Sequence, residues 1–156
     1  MKQKNDKKIT PLSCDWKSPS SKREVKNKNI IIRYRGNFKW RGVKEDKYKN
    51  KEDGWSSITR SVLIGNNGED TRFHVRYFEI QPGGYSSYEW HKHTHVVICL
   101  RGKGLVRLDK KRYPINYLDT IYIAPNIKHQ LINPYNEPFG FLCIVNSKRD
   151  MPKPVK

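Results

Sequence analysis

The sequence predicts an all-β domain, and three observations carry that expectation. Short β-favouring segments recur at spacings of about ten residues, turn residues separate many of them, and no stretch holds a sustained helical period. With 156 residues the chain is long enough to bury one full core without disulfide or metal staples, so a single domain with a tail is expected.

Residues 1–28 mix Lys, Ser, Pro and Asn with few apolar side chains, so they cannot offset the entropy of ordering and are expected as a basic, flexible, partly disordered tail. Asn29-Ile-Ile-Ile-Arg-Tyr-Arg and Phe38-Lys-Trp-Arg favour strands. Residues 29–55 are therefore expected as N-terminal strands packing on a barrel, with the charged run 44–53 as a surface loop. From Trp55 the texture changes. Segments 58–64, 72–80, 85–90, 95–100, 104–108, 112–115, 119–124, 128–132 and 139–146 read as strands of a barrel domain over 56–150, and 151–156 as a C-terminal tail. Gly65-Asn-Asn-Gly, Pro82-Gly-Gly, Arg101-Gly-Lys-Gly and Pro134-Tyr-Asn-Glu-Pro supply turn signals between them.

Charge and composition narrow the function classes. Lys and Arg number 32 against 15 acidic residues, a net charge of +17, and residues 1–55 alone carry 17 basic and 7 acidic groups. Of the basic residues 21 are Lys, a bias that AT-rich coding also produces, so the charge does not by itself name an anionic partner. No apolar run is long enough for a membrane span or a signal-peptide core, and the expected location is the cytoplasm. The three cysteines fit that reading. Cys99 and Cys143 lie in apolar runs as small core hydrophobes, and Cys14 leaves an odd count. Arg33, Arg35, Lys39, Arg41, Lys44 and Lys47 alternate with Tyr34, Phe38, Trp40 and Tyr48, which would suit stacked, charged nucleic acid. Aromatic residues at alternate positions equally pack a strand onto a barrel, so nucleic acid is the less favoured partner. A homodimer is expected from an exposed sheet edge at 29–40.

Histidine carries the main functional signal. Of five His, three fall in Glu89-Trp-His91-Lys-His93-Thr-His95 and a fourth is His129. In a strand Glu89, His91, His93 and His95 project to one side. Imidazole with carboxylate suits one divalent transition metal (Fe, Mn, Ni, Cu or Zn) rather than Ca or Mg. His74 stands alone in Arg72-Phe-His-Val-Arg and is expected to be structural, and Gln130 is expected at the surface.

These residues resemble the cupin superfamily. Its first motif runs Gly, five residues, His-x-His, three or four residues, Glu, six residues, Gly. Here Gly83, Glu89-x-His91, His95 and Gly102 keep every spacing, with Glu and His exchanged. Asp119-Thr-Ile-Tyr-Ile-Ala-Pro125-Asn-Ile-Lys-His129-Gln-Leu-Ile-Asn133 is similar to the second motif, whose opening Gly falls on Leu118 and turn Gly on Asn126. The resemblance implies a double-stranded β-helix, a small β-barrel in which Glu89, His91, His95 and His129 bind the metal. On a straight strand Glu89 and His95 would lie about 20 Å apart, so that set requires a bend, and without one His91, His93, His95 and His129 form the alternate set. The implied function is a metal-dependent, oxygenase-like enzyme acting on a small organic substrate. The alternative is a non-catalytic module that binds or senses a small molecule.

Overall fold

The computed structural model describes residues 29–48 and 54–155. Residues 1–28, with the expected tail and Cys14, and residues 49–53 of the charged run lie outside the described residues. Every regular element among the described residues is a strand: β1 (Glu45–Lys47), β2 (Ser56–Ile64), β3 (Phe73–Tyr85), β4 (Glu89–Trp90), β5 (His95–Arg101), β6 (Gly104–Leu108), β7 (Lys111–Ile115), β8 (Thr120–Ile123), β9 (His129–Ile132), β10 (Phe139–Asn146) and β11 (Lys153–Pro154). All-β is therefore the architecture. No described helix is long and apolar enough to cross a membrane.

The strands form one curled antiparallel sheet. Its path runs β11-β4-β9-β3-β10-β5-β8, with β1 and β2 added at β3 and the β6–β7 hairpin added at β9. β10 is central, pairing Phe141 with Phe78 on one side and with Cys99 on the other. Alternation does the sorting: Phe139, Phe141, Cys143 and Val145 turn inward against Ile80, Phe78, Val97 and Cys99, all within the core. Phe78 and Phe141 stack at 5.5 Å.

Three local expectations change. Pro82-Gly83-Gly84 does not end a strand; β3 continues through it to Tyr85 and exchanges partners there. Gly83 N donates to Asn133 O and Asn133 N to Gly84 O, both at 2.9 Å, so β3 leaves β10 and turns a barrel corner onto β9 while Tyr85 stays opposite Ser56 of β2. Part of the charged run is not loop either. Tyr48 is buried against Trp55 and Phe78, and that anchor lays Glu45–Lys47 along β2, with Lys47 opposite Thr59. Residues 29–41, expected as strands, contain only a Tyr34–Trp40 bridge around a tight turn. Phe38 stacks on Tyr77 at 5.3 Å and Trp40 packs on it at 5.1 Å, so these aromatic rings cover the outer face of β3. They form no sheet edge, so the expected edge no longer argues for a dimer and only the family resemblance does. At the other end, 153–154 are a strand rather than tail, because Lys153 pairs with Trp90 and Pro154 with Glu89.

Backbone conformation preserves both glycine-type positions of the second motif without glycine. Leu118 has φ 69° and Asn126 φ 66°. Leu118 is held there by its N–H donating to Cys99 O at 2.9 Å while its side chain stays exposed. Gly102 is constrained more strictly, since φ is 61° and a Cβ would sit 2.4 Å from Pro138 O.

Asn133 is fully buried, and its amide ties the end of β9 to the middle of β3 and to the loop before β10. Nδ2 donates to Ile80 O and Glu137 O, each at 2.8 Å, and Oδ1 accepts from Tyr135 N at 3.1 Å. Asn133→Ala would strand the buried Ile80 carbonyl together with the partly buried Glu137 carbonyl and Tyr135 N–H, and is expected to lower stability by about 2 kcal/mol in urea unfolding; an unchanged midpoint would show that these bonds contribute nothing.

Candidate metal centre

β4 ends after Trp90, the chain bends through 91–94, and β5 begins at His95. This is the bend that the Glu89, His91, His95 register requires. β9 lies beside β4 with His129 directly opposite Glu89, so residues far apart in sequence share one wall of the barrel. Burial follows the expected parity only in part: Glu89, His91 and His93 are buried and Lys92 is exposed, while His95 is half-buried like Trp90 and Thr94.

The three imidazoles of His91, His95 and His129 converge, with ligand atoms all within 4.8 Å of one another. One ring nitrogen of each is already committed. His91 Nδ1 donates to His93 O at 2.8 Å, His129 Nδ1 donates to Ile127 O at 2.9 Å, and His95 Nδ1 lies 3.2 Å from Cys143 Sγ. Those contacts fix ring orientation and leave Nε2 as the atom each ring can offer. The Nε2 atoms of His91 and His95 are buried without a hydrogen-bond partner. Such an orphan costs about 1–3 kcal/mol, and a cation between the rings would satisfy both at once.

Burial sets the protonation state. It pushes the His91 pKa down to about 3, with the neighbouring His93 and His129 adding to the shift, and holds His95 well below the ordinary imidazole value, with His129 and His91 adding to it. Both rings are neutral at physiological pH, the form that binds a metal.

His93 belongs to a different arrangement. Its ring stacks on His91 at 3.6 Å and 5°, and its Nδ1 meets Asp150 Oδ1 at 2.8 Å. Burial lowers the His93 pKa despite the carboxylate, so the neutral ring donates a hydrogen bond to it rather than forming an ion pair. Asp150 also accepts from the N–H groups of His93 at 3.1 Å and Lys92 at 2.8 Å. Burial alone would raise its pKa, but these donors outweigh it and hold the carboxyl below the usual range. Asp150 therefore clamps the bend from outside. From the other flank, Asn126 N donates to His91 O at 2.7 Å, docking the β8–β9 turn on the same bend.

Glu89 is buried and lines the cavity, yet its carboxylate is not among the donor atoms that fall within 4.8 Å of one another. The cavity also takes in Arg76, Cys143, Tyr48 and Pro152, with a volume of about 40 Å³. That space suits an ion with about one water, since one water occupies about 30 Å³ in the liquid. A larger ligand requires side chains at the mouth to move.

Asp150, Arg76 and Cys143 were not read from the sequence as site residues. For Arg76 a signal existed: it is a charge at the inward parity of a strand whose neighbours at that parity, Phe78 and Ile80, are core. Cys143 sits opposite it in register, with the guanidinium 3.9 Å from its sulfur. Asp150 follows a strand end and carried no readable pattern. His74 is structural as expected, with Nδ1 3.3 Å from Arg149 and its ring packed where a Cβ on Gly65 would fall. Gln130 is half-buried and donates to Ser86 O at 2.8 Å.

Metal-free protein should lose stability on acidification. A ring with a depressed folded pKa contributes stability that is fully present above its unfolded value of about 6.5 and lost below it, at about 1.4 kcal/mol per pH unit, for His91 down to about pH 3. The urea midpoint is expected to fall between neutral pH and about pH 5, and to fall less in His91→Gln. Equal slopes would show that the ring is solvated.

Comparison with known proteins places this geometry. Residues 76–145 match the cupin domain family model. The chain is 37% identical over 123 residues to a 1-methylthio-D-xylulose 5-phosphate methylsulfurylase of Rhodospirillum rubrum, covering 77% of this chain and 76% of that protein. Among solved structures, a cupin-2 domain from Rhodospirillum rubrum superposes with TM-score 0.71 at 35% identity, over 79% of this chain and 82% of the other. A cupin 2 conserved barrel protein from Rhodopseudomonas palustris gives TM-score 0.75 at 30% identity, over 81% and 87%. A curled sheet with this strand register, imidazoles meeting inside it, and likeness over three quarters of the chain have one reading: the protein belongs to the cupin family.

Proposed function

We propose that this chain is a metal-dependent cupin enzyme acting on a small phosphorylated, sugar-derived substrate. The observation that carries the metal is the pair of buried Nε2 atoms, on His91 and His95, facing a common point with His129. His91, His95 and His129 would hold one divalent transition metal, with Glu89 as the fourth donor from the same cavity and His93 kept as a support through Asp150. A bound metal of this kind supplies Lewis acidity, polarising a carbonyl or hydroxyl oxygen of the substrate.

The residues around it have separable roles. The tautomers of His91 and His129 are set by His93 O and Ile127 O, so their lone pairs stay aimed inward, and the Cys143 sulfur orients the His95 ring. Phe78, Ile123, Leu131 and Phe141 in the wall exclude water and strengthen electrostatic interactions inside. Arg76, a buried cation in the same wall, is the group offered to an anionic oxygen. The substrate class is drawn from likeness to the methylsulfurylase, which spans three quarters of both chains.

Protein purified without added metal is expected to carry about one equivalent of a transition metal. His91→Ala and His95→Ala should lose it, and Asp150→Ala should weaken affinity by about 10-fold by freeing the bend. Metal retained in both histidine variants would remove the site.

Turnover is expected without oxygen. Incubated with 1-methylthio-D-xylulose 5-phosphate, a small thiol and Mn(II) or Fe(II) under anaerobic conditions, the protein should break the C1–S bond, the methylthio group passing to the thiol sulfur as a mixed disulfide and the thiol proton to C1. Consumption that requires oxygen would favour an oxygenase, the second reading of three nitrogen donors and open positions. No turnover across metals and metabolites would leave a binding or sensing module.

A further inference from the structure

A second concavity lies outside the histidine cavity, between the β6–β7 hairpin and β8. It has a volume of about 740 Å³ and is bounded by Arg107, Lys110, Lys111 and Lys128 with Tyr88, Tyr113 and Tyr122. Its single carboxylate, Asp109, is engaged locally, with Oδ1 accepting from Lys128 N at 3.3 Å. Among the described residues no carboxylate stands within ion-pair distance of these four cations.

The hairpin concentrates the charge at a cost. Its register sets Arg107 directly opposite Arg112, a like-charge cross-strand pair that destabilises the ladder, and Lys110 and Lys111 follow at the tip. Arg107 is also held in place. Its guanidinium lies 3.9 Å over the Tyr88 ring and Nε donates to Asp109 O at 3.1 Å, while Tyr88 Oη donates to the same carbonyl at 2.9 Å. Across from this fixed cation, Tyr113 and Tyr122 leave 45% and 62% of their surface open. Nothing in the core needs those rings where they are.

We propose that this groove binds single-stranded nucleic acid. Phosphates lie against Arg107, Lys110, Lys111 and Lys128, and bases stack on the open faces of Tyr113 and Tyr122. Concavity and the lack of protruding aliphatic side chains argue against a membrane surface. A second copy of a chain with net charge +17 would bring the same cations face to face. An acidic peptide would use the charge but not the ring faces.

The test is binding of a fluorescently labelled oligothymidylate to the full chain at several salt concentrations. With four phosphates neutralised, log Kobs should fall against log salt with a slope of about −3, and K110Q/K111Q/K128Q should reduce that slope by about 2. Tyr122→Ala, at an exposed position with no change in charge, should weaken binding about 10-fold. The control R33Q/R35Q/K39Q removes as much charge outside the groove and should leave the affinity within about 2-fold. Loss in the control equal to that in the lysine variant, or an unaffected Tyr122→Ala, would overturn the proposal as mere attraction between opposite net charges. Polyglutamate competing as well as the oligonucleotide, or a mononucleotide matching it, would overturn it in favour of an acidic peptide or a free nucleotide.

Discussion

The bend between β4 and β5 is the constraint on which the rest of the site depends. A strand continued straight from Glu89 would carry His91 and His95 along one face but roughly 13 Å apart, too far to share an ion. The chain turns instead, and the turn is held on two flanks: Asp150 accepts three hydrogen bonds from Lys92 and His93, and Asn126 donates to His91 O. Neither flank comes from the bend itself. The C-terminal segment reaches it because β11 pairs with β4, and the β8–β9 turn reaches it because Asn126 adopts a left-handed backbone. The closed sheet and the local turn are thus one structure, since removing either releases the other.

Burial then converts convergence into chemistry. Imidazoles packed 4.6–5.2 Å apart, centre to centre, cannot all carry charge, and desolvation keeps His91 and His95 neutral. A neutral ring has one N–H and one lone pair, and the protein assigns them separately. The N–H of His91 and His129 is turned to a backbone carbonyl behind the ring, so the lone pair faces the cavity. The arrangement is unfavourable when empty, because orphaned nitrogens are left in an apolar wall. That cost is what a cation would relieve.

Charge is distributed on a different principle outside the barrel. Of the N-terminal aromatic residues that alternate with Arg and Lys, Phe38 and Trp40 are consumed by packing on Tyr77, where Arg101 lies over Phe38 at 5.2 Å and pairs with Glu79 at 2.8 Å. The cations of the β6–β7 tip have no such use. Identical composition therefore yields a packed face in one place and an open groove in another, according to whether a sheet surface lies behind it.

Alternation of apolar residues and the turn residues between them were enough to establish strands, and hence the all-β class, because side-chain parity is a local property that each segment carries by itself. The same parity put Glu89, His91, His93 and His95 on one side, and the motif spacing singled out Glu89, His91, His95 and His129. Which donors meet was not legible. Parity says which face a side chain occupies, but not where along a curved sheet that face comes close to another. His93 was drawn away to Asp150, while Arg76 and Cys143 were delivered from β3 and β10, by closure of the sheet. Sequence determined the kinds of donor and their faces; the tertiary structure alone decided their company, since proximity across strands depends on register and curvature rather than on any one segment.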